Sequence, residues 1–233
     1  MKHLFITGGT SGIGSSLVEV FLTAGYKVTL TYNSSKPSFK FDNENLKCMQ
    51  VDLSKTADVK KLCEMLEHEV VDVFINNAAM AKKTPFEEIS NSELRAIIEI
   101  NLISAFQVTQ KIFKSMQRSG GGKIINIGSI GGQIGGKDQI HYAISKGALE
   151  TLVKSIARIG FQSNIYAFNF SPGCVDTPML RQLNNDLSEI DSQIPFGSIT
   201  DSRNVAKAVF SLCSEEWNYA SGQTINFNGG LLL

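Results

Sequence analysis

Short apolar runs alternate along this chain with longer stretches in which apolar positions return every three to four residues, the pattern of strands interleaved with amphipathic helices. Leu4, Phe5 and Ile6 make a first strand, and Leu17, Val18, Phe21 and Leu22 then recur at helical spacing until Gly25 closes the pattern. Strand patterns follow at 27–32 and 46–51. A helix over 54–70, with a Ser or Thr cap, aligns Val59, Leu62, Cys63 and Leu66 on one face. The nearly unbroken apolar run at 71–76 reads as a strand buried on both faces, as parallel sheets require. Ser90 to Glu93 matches a capping box and opens one long helix through Ile97, Leu102, Phe106 and Val108 to Met116, with Asn101 in its middle. Further strands are expected at 123–128, 165–170 and 223–227, and helices at 142–161 and 200–213. The segment at 175–200 has scattered apolar residues and no firm period, and reads as a mobile cover. This alternation predicts a single α/β domain over 1–233, a doubly wound Rossmann-type sheet of about seven parallel strands with helices on both faces.

In such a sheet ligands sit at the carboxyl ends of the strands, and the chemistry-bearing turns fall there. The first strand runs into Thr7-Gly8-Gly9-Thr10-Ser11-Gly12-Ile13-Gly14 and then a helix. Glycines in that context let backbone N–H groups and a helix N-terminus approach a pyrophosphate. An acidic residue about twenty positions further on would hold a ribose 2′-hydroxyl. Here the stretch reads Thr31, Tyr32, Asn33, Ser34, Ser35, Lys36, with no carboxylate before Asp42. Nothing there repels a 2′-phosphate, and Asn33, Ser34 and Lys36 can bond to one, so NADP(H) is preferred over NAD(H).

A second constellation lies between Ser129 and Lys146. Tyr142 and Lys146 are four apart on a helix and share a face. An ammonium beside a phenol is expected to pull the phenol's pKa down from about 10, so that it can exchange a proton near neutrality. Ser129 follows a strand and can hold a carbonyl oxygen while Tyr142 protonates it. After it, the glycine-rich 131–136 reads as a flexible loop.

Composition narrows the partners. The 22 Lys and Arg balance 22 Asp and Glu, which leaves no electrostatic footprint for nucleic acid or a membrane surface. Cys48, Cys63, Cys174 and Cys213 lack metal-ligand spacing and read as reduced thiols in or near the core. The apolar start is too short for a signal-peptide core and no stretch reaches transmembrane length, so a cytoplasmic protein is expected.

Thr7-Gly8, Gly12-Ile13-Gly14, Asp52, Asn76-Asn77-Ala78, Asn101, Ser129, Tyr142, Lys146, Pro172-Gly173 and Thr177, in this order, resemble the short-chain dehydrogenase/reductase family over essentially the whole chain. Gly128-Ser129-Ile130, Gln139 before Tyr142, and the ending Gly222-Gln223-Thr224 with Asn228-Gly229-Gly230 look most like 3-oxoacyl-(acyl-carrier-protein) reductases. The resemblance implies that Tyr142 is the general acid, that Lys146 lowers its pKa and bonds the nicotinamide ribose, that Ser129 orients the carbonyl, and that Asn101 breaks its helix to hold a water. It further implies a cofactor held by Gly8, Thr10, Ser11, Gly12, Ile13 and Gly14 at the pyrophosphate and by Asp52 and Leu53 at the adenine. Asn76 and Ala78 would meet the adenosine ribose side, and Pro172, Gly173, Val175 and Thr177 the carboxamide side. The implied substrate is a 3-oxoacyl thioester, with acyl carrier protein as a possible partner. A free small ketone or alcohol is the alternative, and a silent dinucleotide-binding regulator the second. The family usually has Gly at Ala79 and Asn at Phe168, which points to a narrowed pocket and to repacking. His141, where acyl-carrier reductases often have Asn, reads as a surface residue. Lys123, Lys137, Arg158 and Arg181 are candidates for a basic patch at the pocket mouth. The helix over 91–116 and that over 142–161 resemble the family's subunit contact, so a homodimer or homotetramer is expected.

Overall fold

A computed structural model describes residues 1–35, 44–184 and 186–232; Lys36 and Asp42 lie outside them. Seven strands form one parallel sheet: β1 (His3–Ile6), β2 (Lys27–Tyr32), β3 (Leu46–Gln50), β4 (Val73–Asn76), β5 (Gly122–Ile127), β6 (Ile165–Pro172) and, last in sequence, β9 (Thr224–Phe227). Their order is β3-β2-β1-β4-β5-β6-β9. Strand order reverses between β1 and β4, and this switch opens a cleft outside their carboxyl ends. Two short strands, β7 (Val175–Asp176) and β8 (Thr200–Asp201), pair with each other apart from the main sheet.

Successive side chains of a strand leave on opposite faces, and here both faces are covered. Leu4 and Ile6 of β1, Ile75 of β4 and Phe168 of β6 pack against Leu17, Val18 and Phe21 of α1 (Gly12–Thr23) and Val205 and Val209 of α9 (Ser202–Ser211). Phe5, Phe74 and Ala167 turn the other way. They pack on Leu62 and Leu66 of α2 (Thr56–Leu66), Ile112 and Met116 of α4 (Ser104–Ser119) and Val153 of α6 (Ile140–Gly160). Each fully buried Phe or Leu contributes roughly 1.5–3 kcal/mol by leaving water, so the two layers clamp the sheet that carries the site. Phe168 is fully buried in this core, and its neighbour Asn169 bonds to Asn126 of β5.

Several expectations change. The long helix is three pieces: α3 (Asn91–Ile98), a π-helical turn (Glu99–Ile103) and α4. The wider turn brings Asn101 into the interior, where its amide finds partners outside the helix. No Ser or Thr caps α2, whose N-cap is Lys55 with no side-chain bond. Instead Asp58 accepts from the Asp52 backbone, and Asp52 from Ser54. The glycine-rich stretch after Ser129 forms a short helix, α5 (Gly131–Ile134), whose Gln133 donates to Ser171 and Asn226. The cover segment, expected to have no firm period, contains two short helices, α7 (Pro178–Leu183) and α8 (Ser188–Ser192), between β7 and β8. Cys48 is exposed rather than near the core. Among the described residues no helix is long and apolar enough to cross a membrane.

Candidate active site

A cavity of about 860 Å³ lies along the carboxyl ends of β1 to β6. That is within the range of ligand pockets, on the order of 300–1,000 Å³. One end is shaped by main chain. Gly8 has φ +66°, and a Cβ there would stand 2.9 Å from the Ala78 Cα. Gly14 does not line the cavity; it lets the Gly8 carbonyl lie on α1, because a Cβ would come within 2.1 Å of that oxygen. Asn77 holds the same turn by donating to the carbonyls of Thr7 (3.1 Å) and Gly8 (2.8 Å). Ser11 caps α1 without using its side chain on the first turn's N–H groups. Those amides, with Thr10, Gly12 and Ile13 beside them on the cavity wall, suit a pyrophosphate. The wall continues through Thr31, Tyr32, Asn33, Ser34 and Ser35, then Asp52 and Leu53. Asp52, bonded to Ser54, has its carboxyl held below the usual range and is ionised at neutral pH. The residues present therefore fit a dinucleotide.

Asn76 does not reach the cavity. Its amide joins a buried row across the strand ends, from Thr7 to Asn76, Asn126 (2.9 Å), Asn169 (2.7 Å) and Thr224. Strand register puts Asn76, Asn126, Asn169 and Thr224 directly opposite one another, so the row stitches β4, β5, β6 and β9, with Thr7 joining just after β1.

At the other end Ser129, Tyr142 and Lys146 converge. Gly131 N–H donates to the Ser129 hydroxyl at 3.1 Å and fixes it near the phenol. Lys146 is buried, donates to the Ile127 carbonyl at 2.7 Å and stands 5.6 Å from the centre of the Tyr142 ring. The electrostatics reverse the expectation from sequence. Burial pushes the Tyr142 phenol up to about 12, with the Ser129 bond pulling the other way, and burial lowers the Lys146 amine to about 8. Desolvation is the leading cause at both groups. Tyr142 therefore stays protonated at neutral pH and holds a proton ready to give.

Asn101 is absent from the cavity wall. Its Oδ1 accepts from the Met80 N–H (2.8 Å), and its Nδ2 donates to the Met80 carbonyl (2.9 Å) and the Ser145 hydroxyl (3.0 Å). Ser145 in turn donates to the Tyr142 carbonyl at 2.7 Å. Asn101 thus clasps the segment after β4 to the turn of α6 that bears Tyr142. The hydrogen bonds of the Asn101 side-chain amide all go to protein groups.

Pro172, Gly173, Val175 and Thr177 line the cavity as expected, and Thr177 also caps α7 by accepting from Leu180. Ala79 is on the wall too. Of the four basic-patch candidates only Lys137 lines the cavity. Lys123 is buried at the opposite end of β5, where it donates to the carbonyls of Leu212 (2.8 Å) and Ser214. Arg181 donates from Nε and Nη2 to the two carboxylate oxygens of Asp176, and Arg158 is near the far end of α6. Sequence reasoning missed Lys83, which lines the cavity and donates across its mouth to Asn184 at 2.8 Å. It also misplaced His141, which is 1 % exposed and bonded to Glu93 at 2.9 Å. Only the fact that His141 adjoins Tyr142 pointed that way.

A parallel sheet with a glycine turn at its switch point, and with Ser, Tyr and Lys gathered at the neighbouring strand ends, defines a dinucleotide-dependent oxidoreductase. Comparison with known proteins agrees. A profile of the family described as enoyl-(acyl carrier protein) reductase matches residues 8–232. The chain is 32% identical over 243 residues to acetoacetyl-CoA reductase of Acinetobacter sp. (strain RA3849), covering 100% of this chain and 98% of that protein. It is 31% identical over 238 residues to 3-oxoacyl-(acyl-carrier-protein) reductase of Salmonella typhimurium, with the same coverage. Among solved structures, 4-hydroxyisoleucine dehydrogenase complexed with NADH superimposes with a TM-score of 0.92 at 26% identity, over 99% of this chain and 98% of that one. The chain belongs to the short-chain dehydrogenase/reductase family, and it is an oxidoreductase built for a nicotinamide dinucleotide.

Proposed function

We propose that this enzyme reduces a 3-oxoacyl thioester to the 3-hydroxyacyl form with NADPH. The observation that carries the reading is the pairing of the Ser129 and Tyr142 hydroxyls on one wall of the cavity, with the Lys146 amine beside the phenol. The nicotinamide, when bound, supplies the hydride that goes to the carbonyl carbon. Ser129 and Tyr142 receive the carbonyl oxygen between them, and as that oxygen gains negative charge the phenolic proton moves onto it. The buried Lys146 ammonium then balances the phenolate. Asn101 holds both walls in place, through Met80 on one side and Ser145 on the other.

The thioester assignment is supported by the two relatives named for acetoacetyl-CoA and 3-oxoacyl-(acyl-carrier-protein) reduction. NADP(H) is supported by the cavity wall at Thr31 to Ser35, which carries hydroxyls and an amide but no carboxylate. Lys137 and Lys83 at the mouth suit the phosphates of a coenzyme A or carrier arm. Unpaired cysteines agree with a reducing cytoplasm. Ile103 and Phe106 near the start of α4, with Ile144 and Ile159 on α6, expose apolar surface that a homodimer or homotetramer through these helices would cover. A second reading, a free small ketone, is favoured by the Lys83–Asn184 bond and the Ala79 methyl, both of which narrow the substrate end.

NADPH oxidation with an acetoacetyl thioester, and NADH in parallel, tests the assignment. Turnover with NADPH well above NADH is expected, and Tyr142→Phe should lower kcat by about 100-fold or more while NADPH still binds. An unchanged rate in Tyr142→Phe would refute the proton-donor role. Turnover of small ketones but not of thioesters selects the second reading.

A further inference from the structure

Glu93 looks, from the sequence, like the second half of a capping box. In the structure Ser90 does accept from the Glu93 N–H at 3.2 Å, but the Glu93 carboxylate leaves its own helix. It accepts from the Thr84 hydroxyl at 2.5 Å, from Lys82 and from His141 Nε2 at 2.9 Å. Thr84 N–H also donates to the Asp138 carbonyl at 2.8 Å, just before α6. One carboxylate therefore joins three elements: α3, the segment 80–84 that follows β4, and the first turn of α6. Met80, Ala81 and Lys83 of that segment, and Asp138 and Gln139 before α6, form the substrate end of the cavity.

Glu93 is held to about 2, first by Lys82 and then by Thr84, so it is a pure acceptor at working pH. His141 Nε2 must then carry the proton of this bond. The ring's Nδ1 is buried and without a partner among the described residues. A side chain that only filled this space would be apolar, because an unpaired buried polar atom opposes folding. The histidine is explained by what Nε2 does, and its neighbour in the chain is Tyr142.

We propose that His141, anchored by Glu93, is a positioning residue that sets the start of α6 and with it the Tyr142 hydroxyl against the substrate wall. The proposal rests on Tyr142 being the proton donor. Asn101 clasps the same segment at Met80, and Glu93 with His141 clasps it at 82–84. Two clasps keep the phenol and the wall from sliding past each other.

The test uses the full chain as wild type, His141→Gln, His141→Leu and Tyr142→Phe, with kcat and KM for acetoacetyl thioester, Kd for NADPH and Tm. His141→Leu should lower kcat by about 10-fold, because a displacement well under 1 Å at the reacting atom is that damaging, with KM and NADPH Kd within about 2-fold of wild type. His141→Gln, whose amide nitrogen can reach the Glu93 position, should restore most of kcat. Wild-type kcat in His141→Leu overturns the proposal even where Tm falls, since a bond that only stabilises the fold shows in Tm alone. A glutamine variant as slow as the leucine variant overturns it as well. Should His141→Leu fail to fold, Glu93→Gln is read the same way: reduced kcat with unchanged NADPH Kd supports the proposal, and unchanged kcat overturns it. If Tyr142→Phe keeps its rate, the proton-donor reading itself falls. If Tyr142→Phe collapses while the His141 variants do not, positioning alone is wrong.

Discussion

At the Gly8–Gly14 end of the cavity the wall is main chain brought close by missing side chains, whereas at the Tyr142 end it is side chains held in place by other side chains. The first end needs residues to be absent, and a spacing of glycines between a strand and a helix announces it. The second needs partners distant in sequence to meet. Asn101 binds Met80 and Ser145, and Glu93 binds Lys82, Thr84 and His141. Damage to the first end should therefore appear as lost stability and cofactor affinity together. Damage to the second should appear in turnover first.

The largest effect that would sharpen this contrast is expected from Gly14→Ala. Its new methyl would press on the Gly8 carbonyl at 2.1 Å, so the turn and α1 must separate. We expect a loss of stability of about 1–3 kcal/mol, by denaturant titration, with NADPH binding weakened by a similar factor. Normal NADPH affinity in this variant would show that the turn does not hold the cofactor.

Asn101→Ala comes next. It leaves the Met80 N–H and carbonyl without their partner, at a cost of about 1–3 kcal/mol. NADPH affinity should hold while kcat falls several-fold as the segment 80–84 loosens, measured by steady-state kinetics beside fluorescence titration. Equal losses in affinity and turnover would erase the distinction between the two ends.

The smallest effect concerns pH. Lys146 is lowered from 10.5 to about 8 by burial. A cation whose folded pKa lies below its unfolded value opposes folding while protonated. That penalty is fully present below about pH 8, shrinks as pH rises towards 10.5 and is then gone. Wild type should accordingly gain stability relative to Lys146→Met across this window. Over the same window kcat/KM should decline a few-fold, as the charge that balances the Tyr142 phenolate is lost. A profile flat from pH 7 to pH 10 would contradict both.

Much of the fold and of the nucleotide end was legible along the chain. Both faces of the sheet are buried, so apolar runs such as 71–76 could be recognised as strands without knowing their neighbours. The order of the turns placed Gly8, Ala78, Ser129 and Pro172 at the same sheet edge. Other residues kept their identity but not their job. Asn76 bonds along the row under the site, and Asn101 clasps rather than faces the cavity. The π-helical turn that allows this has no local signal, because it is a one-residue shift in hydrogen bonding that packing decides. Lys123 and Lys137 look alike in sequence, yet one ends buried under carbonyls and the other on the cavity wall.

Spacing and periodicity sufficed for the sheet and the glycine turn and brought Ser129, Tyr142 and Lys146 forward as candidates, because each depends on residues close in the chain or on strand order. Tertiary structure alone decided the charge states and the clasps. The Tyr142 phenol rises and the Lys146 amine falls because burial removes the water that would stabilise their charged forms, and burial is a property of the packed molecule. The meeting of Glu93 with His141 is likewise a product of packing, since their separation of 48 positions closes only when α3 and α6 lie side by side.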